Sequence, residues 1–291
     1  MANTISTAFV QQFNRNVYLL AQQDGSKLRG KVRLETQHAL KQFYDRLAPT
    51  MPEKKISRHQ DTPLMEQQHS RRALVLEDWV LADLIDREDE IRMLIDPKSL
   101  YAQNFAKGMG RQIDLSIVAA FTAAVEVGQF GGTFVNYPAG NILASGGGGL
   151  TMGRVRTVKR MFDQRNIPTY GRKWVVSAQA MEDLLENVEV TSSDYNTVKA
   201  LVAGTIEGNT WMSFEWIMLA DELLPIDANL DRSTFAYWDQ AMLLAIARDI
   251  MTEMDRRPDK MNALQVMTTM SENAVRLDDT AVLEVLVREE A

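Results

Sequence analysis

Hydrophobic residues recur every three or four positions between Asp96 and Gly128, which is the spacing of one face of a helix. Asp96 suits the N-cap and Pro97 the first helical position, while Gly128 can adopt the left-handed conformation that ends helices. The pattern predicts a helix over residues 97–127, roughly 45 Å long. Its apolar stripe consists of Phe105, Met109, Ile113, Ile117, Ala120, Phe121 and Ala124.

Small residues on the same helix would let another segment pack closely against it. They are Gly108, Gly110, Ser116, Ala119, Ala120, Ala123 and Ala124. Taken alone, this pattern is typical of a long core helix in an ordinary globular enzyme. A second interpretation is a spine helix that many copies of a shell protein share, and it depends on the rest of the chain.

The N-terminal residues 1–26 contain a short amphipathic cluster that Asp24-Gly25-Ser26 closes. This segment is too short to be a domain, so we predict an arm that docks on something else. In residues 27–85, polar and apolar positions alternate at 27–34 and the chain becomes strand-like again at 42–47.

A polar stretch interrupts this strand pattern between Ala48 and Pro63, and apolar residues return from Arg71 to Leu81. Its closely spaced prolines and few apolar residues cannot form a packed core. The pattern therefore predicts an extended excursion, residues 27–85, that leaves the body and returns.

The second half alternates short strand-like and helical stretches without the regular repeat of strand-helix-strand units, which indicates an α+β fold. Predicted strands lie at 172–177, 214–219, 264–270 and 282–287, with helices at 150–166 and 178–187, and 235–247 is either strand or helix. We find no internal sequence repeat.

Composition and charge narrow the class of protein. The 291 residues are 45% hydrophobic and 24% charged, which is ordinary for a globular protein, and they include 16 methionines. The absence of cysteine excludes disulfides, thiolate metal sites and cysteine nucleophiles. No apolar run is long enough to cross a bilayer, and the N-terminus lacks a signal-peptide pattern.

The net charge of −7 is unevenly distributed along the chain. Residues 27–72 contain eleven basic and five acidic residues, whereas residues 73–149 contain five and ten, and residues 150–291 contain fifteen and twenty-three. A basic segment beside acidic ones can bind nucleic acid, can complement an acidic surface on an identical subunit, or can simply be a solvated face.

Candidate chemical sites are few. The histidines His38, His59 and His69 match no standard metal-ligand spacing, so we expect ordinary polar contacts from them. The acidic cluster Asp86–Glu90 could bind a cation, but it is also typical of the solvated first turn of a helix. The glycines Gly146–Gly149 open a helix as phosphate loops do, yet Leu150-Thr151-Met152 replaces the required lysine followed by serine or threonine, which favours a flexible connector.

Short motifs follow one another along nearly the whole chain, from about Leu28 to Val287. They are Arg58-His59-Gln60-Asp61-Thr62-Pro63 with Arg71-Arg72; Ile85–Asp89; Asp96–Tyr101; Arg111–Asp114; Trp174–Ala178 with Leu184-Leu185; Asp194-Tyr195; Gly204; Leu223-Leu224-Pro225; Pro258-Asp259-Lys260; and Ala274–Leu277. Each motif is short, and their order is the specific part. In this order they resemble the major capsid proteins of tailed bacteriophages, which have the Hong Kong 97 capsid fold.

The resemblance implies a division of the α+β chain. It implies an N-terminal arm (1–26), an extended hairpin loop (27–85), a peripheral domain with the spine helix (86–149), an axial domain (150–255) and a return to the peripheral domain (256–291). It also implies a major capsid protein that assembles hexamers and pentamers into the icosahedral shell around packaged double-stranded DNA, without sequence specificity and without a membrane.

The same resemblance implies that the hairpin lies over a neighbouring copy, since the basic hairpin faces an acidic body. The expected inter-subunit contact residues are Lys54, Lys55, Arg58, His59, Asp61, Arg71 and Arg72. No catalytic, cofactor or metal site is expected. Assembly in the bacterial cytoplasm would use a separate scaffolding protein and a portal, because the arm has only about 26 residues, and a decoration protein and a lysine–asparagine crosslink are left open.

Three alternatives remain at the level of sequence. The first is a shell protein of an encapsulin-like bacterial compartment, which has the same fold. The second is an enzyme that binds phosphate or nucleotide at Gly146–Gly149. The third is a DNA-binding module that uses a basic helix face, made of Arg154, Arg156, Lys159, Arg160 and Arg165, against which the overall acidity argues.

Overall fold

The structure is a computed structural model that describes residues 22–58, 61–62, 64–86, 98–186 and 210–289. Several sequence predictions fall outside these residues: the arm up to Ala21, the acidic cluster beyond Asp86, the helix start at Asp96 and Pro97, and the motif residues Asp194, Tyr195 and Gly204. The described residues form three α-helices and fourteen strands in three sheets, an α+β architecture as predicted.

The elements follow one another without a regular repeat. The helices are α1 (Lys98–Thr122), α2 (Met152–Gln164) and α3 (Ala178–Glu186). The strands are β1 (Arg33–Thr36), β2 (Lys41–Leu47), β3 (His69–Val75), β4 (Glu77–Ile85), β5 (Val125–Val127), β6 (Thr133–Val135), β7 (Ile142–Leu143), β8 (Arg172–Val176), β9 (Thr210–Trp211), β10 (Phe214–Met218), β11 (Asp231–Trp238), β12 (Met242–Arg257), β13 (Ala263–Arg276) and β14 (Val282–Arg288).

A long antiparallel ribbon, β12 and β13, is the centre of the first sheet, whose order is β1-β12-β13-β4. Two register shifts interrupt the ribbon, one between Ile246 and Arg248 and one between Arg248 and Met251. Helix α1 packs across this sheet and buries Met109, Ile113, Ile117, Ala120 and Phe121 of the predicted apolar stripe, whereas Ala124 lies beyond the helix and is exposed.

Helix α1 ends at Thr122, five residues before the predicted end at residue 127. Val125–Val127 instead forms β5, which pairs with β3 through Arg72 opposite Val127 and Ala73 opposite Glu126. The β-branched valines favour a strand, and Gly128, at φ +107°, belongs to the turn before β6 rather than to a helix cap.

The third sheet, β2-β3-β5-β6, contains the predicted hairpin. The hairpin itself is shorter than the predicted segment 27–85, because β1 pairs with β12 and β4 pairs with β13 in the first sheet. Only β2, β3 and the connection between them leave the body.

The second sheet has the order β7-β14-β11-β8-β10-β9 and holds most of the aromatic core. Trp174 stacks on Trp216 with ring centroids 4.9 Å apart, and Phe162 of α2 meets Phe214 edge to face at 5.2 Å. Stacked and edge-to-face arrangements are the favourable ones for aromatic pairs.

The predicted boundary at residue 256 does not follow the sheets. Strand β12 runs through it, and β14 pairs with β11 in the second sheet instead of returning to the sheet beside α1. The two parts also share a core, since Phe121 of α1 stacks on Phe235 of β11 with centroids 4.6 Å apart.

Candidate assembly surfaces

The connection between β2 and β3, residues 48–68, is the most detached part of the described chain, and we call it the hairpin loop. Its described residues from Pro49 to Gln68 are all exposed. Its two ends are tied together by a 3.1 Å hydrogen bond from the Ala48 N–H to the Gln68 carbonyl and by one of 2.7 Å from the Gln67 amide to the Ala48 carbonyl. The loop therefore extends from the body, as the sequence predicted.

The hairpin loop combines basic and apolar side chains in solvent. Of the predicted contact residues, Lys54, Lys55, Arg58 and Asp61 lie on it and are exposed, and His59 lies outside the described residues. Its large apolar side chains are also solvated, with Met51 81%, Ile56 88% and Leu64 92% exposed. Exposed apolar groups of this size mark interaction surfaces when they lie close together.

Arg71 and Arg72 are neighbours on β3 and have opposite environments, because successive residues of a strand point to opposite faces. Arg71 is partly exposed, donates to the Asp45 carboxylate at 2.9 Å and lies 5.7 Å from the centre of the Phe43 ring. Arg72 is only 2% exposed and pairs with the Asp279 carboxylate. Arg72 is thus bound within its own chain, so Arg71 remains as the contact candidate on this strand.

Asp279 closes the base of the hairpin. Its carboxylate accepts hydrogen bonds from Arg72 and from Arg276 Nε, the latter at 2.6 Å. Burial alone would raise the pKa of this carboxyl, but the two guanidinium groups hold the pKa below its usual range. Arg46 adds a further hydrogen bond, to the Leu277 carbonyl. The base of the hairpin is therefore fixed by charged groups, whereas the described residues of its loop from Pro49 to Gln68 are exposed to solvent.

A second intramolecular anchor joins the N-terminal segment to the middle of α1. Asp114, fully buried, accepts hydrogen bonds from the Ser26 hydroxyl at 2.6 Å, the Leu28 N–H at 2.9 Å and the Lys27 N–H at 3.1 Å. The Gln23 side-chain amide donates to the same carboxylate. The N-terminal segment is therefore held against the middle of the helix by this carboxylate.

Two glycines of α1 allow close approach, as predicted. A Cβ on Gly110 would lie 2.6 Å from the carbonyl carbon of Gly25, and one on Gly108 would lie 3.0 Å from a methyl of Leu81. No side chain fits at position 110 unless the N-terminal segment moves away from the helix.

A buried carboxyl group, Glu272 on β13, lies at the interface with α1. It is 1% exposed, and one of its oxygens accepts a 2.7 Å hydrogen bond from Ser116. Its other oxygen has no hydrogen-bond partner among the described residues. Burial, together with the nearby Glu77 carboxylate, raises the pKa of Glu272 to about 7.

The glycines Gly146–Gly149 do not present a free phosphate cradle. The Asp183 carboxylate accepts a hydrogen bond from the Leu150 N–H at 3.2 Å. The same carboxylate occupies the space beside Gly149, because a Cβ on that glycine would lie 2.2 Å from an Asp183 oxygen. Arg154 donates to the carbonyls of Ala144, at 2.6 Å, and Gly148, at 3.2 Å. An incoming anion would meet a carboxylate at this position, which disfavours the phosphate-binding interpretation.

The predicted basic face of α2 is partly used within the chain. Arg154 binds the glycine segment, Lys159 pairs with Asp163 at 3.1 Å, and Arg165 donates to the Thr280 carbonyl at 2.7 Å. Arg156 and Arg160 are exposed. The remaining exposed charge is smaller than the sequence suggested, so the helix lacks the broad basic face that a DNA-binding module needs.

No metal site emerges from the histidines that the structure describes. His69 is paired with Leu47 at the loop end of the hairpin, whereas His38 precedes Lys41 at the opposite end. Within the described ranges, no three His, Cys, Asp or Glu side chains group as metal ligands. No helix in this part of the chain is both long and apolar enough to span a bilayer.

Sequence patterns did not indicate the roles of three carboxyl groups that bind within the chain, those of Asp114, Asp279 and Glu272. Asp114 offered a signal, because a carboxylate beside Ile113 and Ile117 on a buried helix face needs hydrogen-bond donors. Arg72, which pairs with Asp279, and Ser116, which donates to Glu272, lie 207 and 156 positions away along the chain, so no local pattern indicated these contacts.

Comparison with known proteins identifies the family of this chain. A family model described as phage capsid protein matches residues 5–289. A search of curated proteins finds no match.

Similar solved structures come from phage capsids. The capsid structure of the cyanophage P-SCSP1u is 12% identical with a TM-score of 0.72, and the match covers 100% of this chain and 96% of that chain. The capsid of the cyanophage Pam1 is 11% identical with a TM-score of 0.71, and covers 99% of both chains. A structure from Mycobacterium phage Che8 is 14% identical with a TM-score of 0.68, and covers 95% of this chain and 97% of that chain.

Proposed function

The chain belongs to the phage capsid protein family, so its copies form the shell of a virion, and we propose that it is the major capsid protein of a tailed phage whose shell encloses packaged double-stranded DNA. The extent of the family match, residues 5–289, is the observation that carries this proposal. The fold has the Hong Kong 97 type of architecture that the sequence motifs implied.

The contact surfaces of the chain support a role in self-assembly. Exposed apolar side chains on a detached loop gain free energy when they are buried, so the loop suits a contact with another copy. The base of the same hairpin is held rigidly by Arg72 and Asp279, so the loop is presented at a fixed position. We infer that Lys54, Lys55, Arg58, His59, Asp61 and Arg71 contact neighbouring subunits, and we omit Arg72.

We further propose that the chain acts as a structural protein without a catalytic step, cofactor or metal. The glycine segment, which was the strongest candidate for chemistry, faces the Asp183 carboxylate and is an unfavourable site for phosphate. The family match names phage capsid proteins, which favours this role over a bacterial compartment shell.

The proposed partners follow from the family resemblance. Copies would form hexamers and pentamers on closed symmetry, with a separate scaffolding protein and a portal, in the bacterial cytoplasm. Contacts with packaged DNA would be independent of sequence, and a membrane is not required. A decoration protein is neither required nor excluded by this proposal.

Electron microscopy tests the proposed function directly. The chain would be produced in bacteria with and without the scaffolding protein from its own phage, and particles would be imaged after sedimentation. We expect closed shells of uniform diameter that sediment far faster than the 32.9 kDa monomer. A chain that remains a monodisperse monomer in the presence of the scaffolding protein would contradict the proposal.

A further inference from the structure

Two carboxyl groups, Glu272 on β13 and Glu77 on β4, lie on the same face of the first sheet. They are directly opposite residues of an antiparallel pair, and the Cβ atoms of such residues are about 5 Å apart. Glu77 is exposed, whereas Glu272 is 1% exposed beneath α1. Like charges placed opposite each other destabilise a sheet, so this arrangement favours a proton on the buried member of the pair.

The three elements around Glu272 bring it no positive charge. The residue opposite it on β4 is Glu77, the residue opposite it on β12 is Ile246, and α1 contributes the Ser116 hydroxyl. Glu77 is therefore the one titratable group that these contacts place next to it.

Other charged residues on the two packed elements are bound elsewhere. Arg111 and Asp114 of α1 hold the N-terminal segment. Arg276, farther along β13, donates to Asp279. A buried carboxylate without a cation is costly, so the neutral form of Glu272 is favoured within the part of the chain that the structure describes.

The Ser116 hydroxyl lies within hydrogen-bonding distance of two acceptors. Its oxygen is 2.7 Å from Glu272 Oε1 and 3.1 Å from the backbone carbonyl oxygen of Gln112, one helical turn earlier. A serine hydroxyl has a single hydrogen, so it cannot donate fully to both oxygens. When Glu272 is ionised, this contact between helix and sheet is one hydrogen short.

A proton on Glu272 supplies the missing hydrogen. The neutral carboxyl donates from Oε1 to Ser116 Oγ, and the Ser116 hydroxyl then donates to the Gln112 carbonyl, which gives two consecutive hydrogen bonds from β13 to the backbone of α1. Glu272 Oε2 is buried and has no hydrogen-bond partner among the described residues. An oxygen without a partner costs less free energy in a neutral carboxyl than in a carboxylate, which again favours the protonated form.

Solvent water reaches the groups next to Glu272. Glu77, Gln112 and Ser116 all line an opening of about 580 Å³ beside the helix. The proton of Glu272 can therefore pass to water, or return from it, at the edge of the contact between helix and sheet and without unfolding of the chain.

We propose that Glu272 is a pH-sensitive clasp between β13 and α1, closed when its carboxyl proton is bonded to Ser116 and open when that proton is lost to water. The pKa of Glu272 is about 7 in the folded chain, so the clasp is closed in acid and opens as pH rises through 7. The inference does not depend on the proposed function, because it concerns the folded chain before any assembly.

Carboxyl ¹³C NMR of the unassembled chain measures the protonation of Glu272 directly. The chain would be labelled with glutamate carrying ¹³C at the side-chain carboxyl, and the Glu272 resonance would be identified as the one that disappears in Glu272→Gln. We expect this resonance to titrate with a midpoint near 7. A midpoint near the ordinary value of 4.5 would overturn the clasp, because Glu272 would then be ionised at neutral pH.

The direction of the shift in Ser116→Ala separates the clasp from an ordinary hydrogen bond to a carboxylate. A hydroxyl that donates to the carboxylate lowers the pKa of Glu272, so its removal would raise the midpoint. In the clasp the hydroxyl accepts from the neutral carboxyl, so its removal should lower the midpoint, by about half a pH unit or more. Ser116→Thr keeps a hydroxyl and is the matched control, whose midpoint should stay close to that of the parent chain.

Hydrogen exchange gives a second measurement that does not require the alanine variant. The protection of amides 113–120, corrected for the intrinsic exchange rate at each pH, should fall about twentyfold from pH 5.5 to 7.5 in the parent chain. Glu272→Gln keeps a donor for Ser116 and has no proton to lose, so its protection should stay constant over this range.

Two results would overturn the clasp. One is a midpoint that rises or stays unchanged in Ser116→Ala, and the other is an equal fall in protection in the parent chain and in Glu272→Gln. Neither result bears on the proposed function, because both measurements use the unassembled chain.

Discussion

The two ends of the β2–β3 hairpin differ in what holds them. At the base, Arg72 is buried and shares the Asp279 carboxylate with Arg276. At the other end, the hairpin loop is solvated and exposes Met51, Ile56 and Leu64. The base is therefore satisfied within the chain, whereas the loop exposes apolar side chains that, under the proposed function, another copy would cover.

Charge reversal at the base should have the largest effect on folding. Arg72→Glu places an unpaired carboxylate beside Asp279 in a buried site, which should reduce the free energy of unfolding by about 3–5 kcal/mol. Arg71→Glu, on the exposed face of the same strand, is the matched control and should cost less than about 1 kcal/mol. Urea denaturation of the unassembled chains measures both values.

The two variants should also separate folding from assembly. Arg71→Glu is expected to keep its stability and to form fewer shells, whereas Arg72→Glu is expected to lose stability, so its shells should decrease because less of the chain is folded. Equal stability of the two variants would contradict the distinction between base and exposed face.

Loss of the helix anchor should have the next largest effect. Asp114→Ala removes the acceptor of the buried Leu28 N–H, of the partly buried Lys27 N–H and of the Ser26 hydroxyl, so we expect a loss of about 2–4 kcal/mol. Asp114→Asn keeps one acceptor oxygen and should retain part of this stability. Hydrogen exchange at Lys27 and Leu28 reports the change locally, and unchanged protection of these amides in Asp114→Ala would contradict the anchor.

The buried carboxyl of Glu272 should make stability depend on pH. Its pKa is about 7 in the folded chain against an ordinary value of 4.5, so the folded state favours the neutral form. The stabilisation that this provides is complete below pH 4.5 and is lost as pH rises through 7. We expect the free energy of unfolding to fall by about 2 kcal/mol from pH 5.5 to 7.5 because of this group.

Glu272→Gln isolates that contribution, since the amide has similar size and no charge. The variant should be more stable than the parent at pH 7.5 and should lose most of the decline between pH 5.5 and 7.5 in urea denaturation. An identical decline in both chains would show that Glu272 does not titrate in this range.

Replacement of the apolar loop side chains should have the smallest effect on folding and a large effect on assembly. The triple variant Met51→Ser, Ile56→Ser and Leu64→Ser removes no contact within the core, so stability should change by less than about 0.5 kcal/mol. The yield of sedimenting shells should fall strongly because the contact between copies loses apolar area. A Thr50→Ser, Ser57→Thr and Thr62→Ser control keeps these side chains and should assemble normally.

Local patterns predicted most of the elements, because the spacing of apolar residues differs between helices and strands. The stripe of α1, the strands β8, β13 and β14 and the helix α3 all lie where apolar spacing placed them. The predicted end of α1 was wrong. The two valines before Gly128 belong to a strand that pairs with β3, and this contact depends on residues about fifty positions away.

Long-range pairing explains the remaining differences. Arg72 looked like a surface residue beside Arg71, and only the fold brings Asp279 next to it, 207 positions later. The sheet that β14 joins is likewise decided by its neighbour β11 and not by its own alternating pattern. An open groove lies between the C-terminal half of α1 and the base of the hairpin. Its lining comes from five strands and one helix, so no single stretch of sequence indicated it.

The most direct test of the central claim is a cryo-electron microscopy reconstruction of the assembled shell at a resolution that traces the hairpin loop. Our account predicts that Met51, Ile56 and Leu64 become buried against a neighbouring copy, while Arg72 keeps its contact with Asp279 in the same chain. A shell in which the loop folds back onto its own subunit, with these side chains away from any neighbouring copy, would contradict the account.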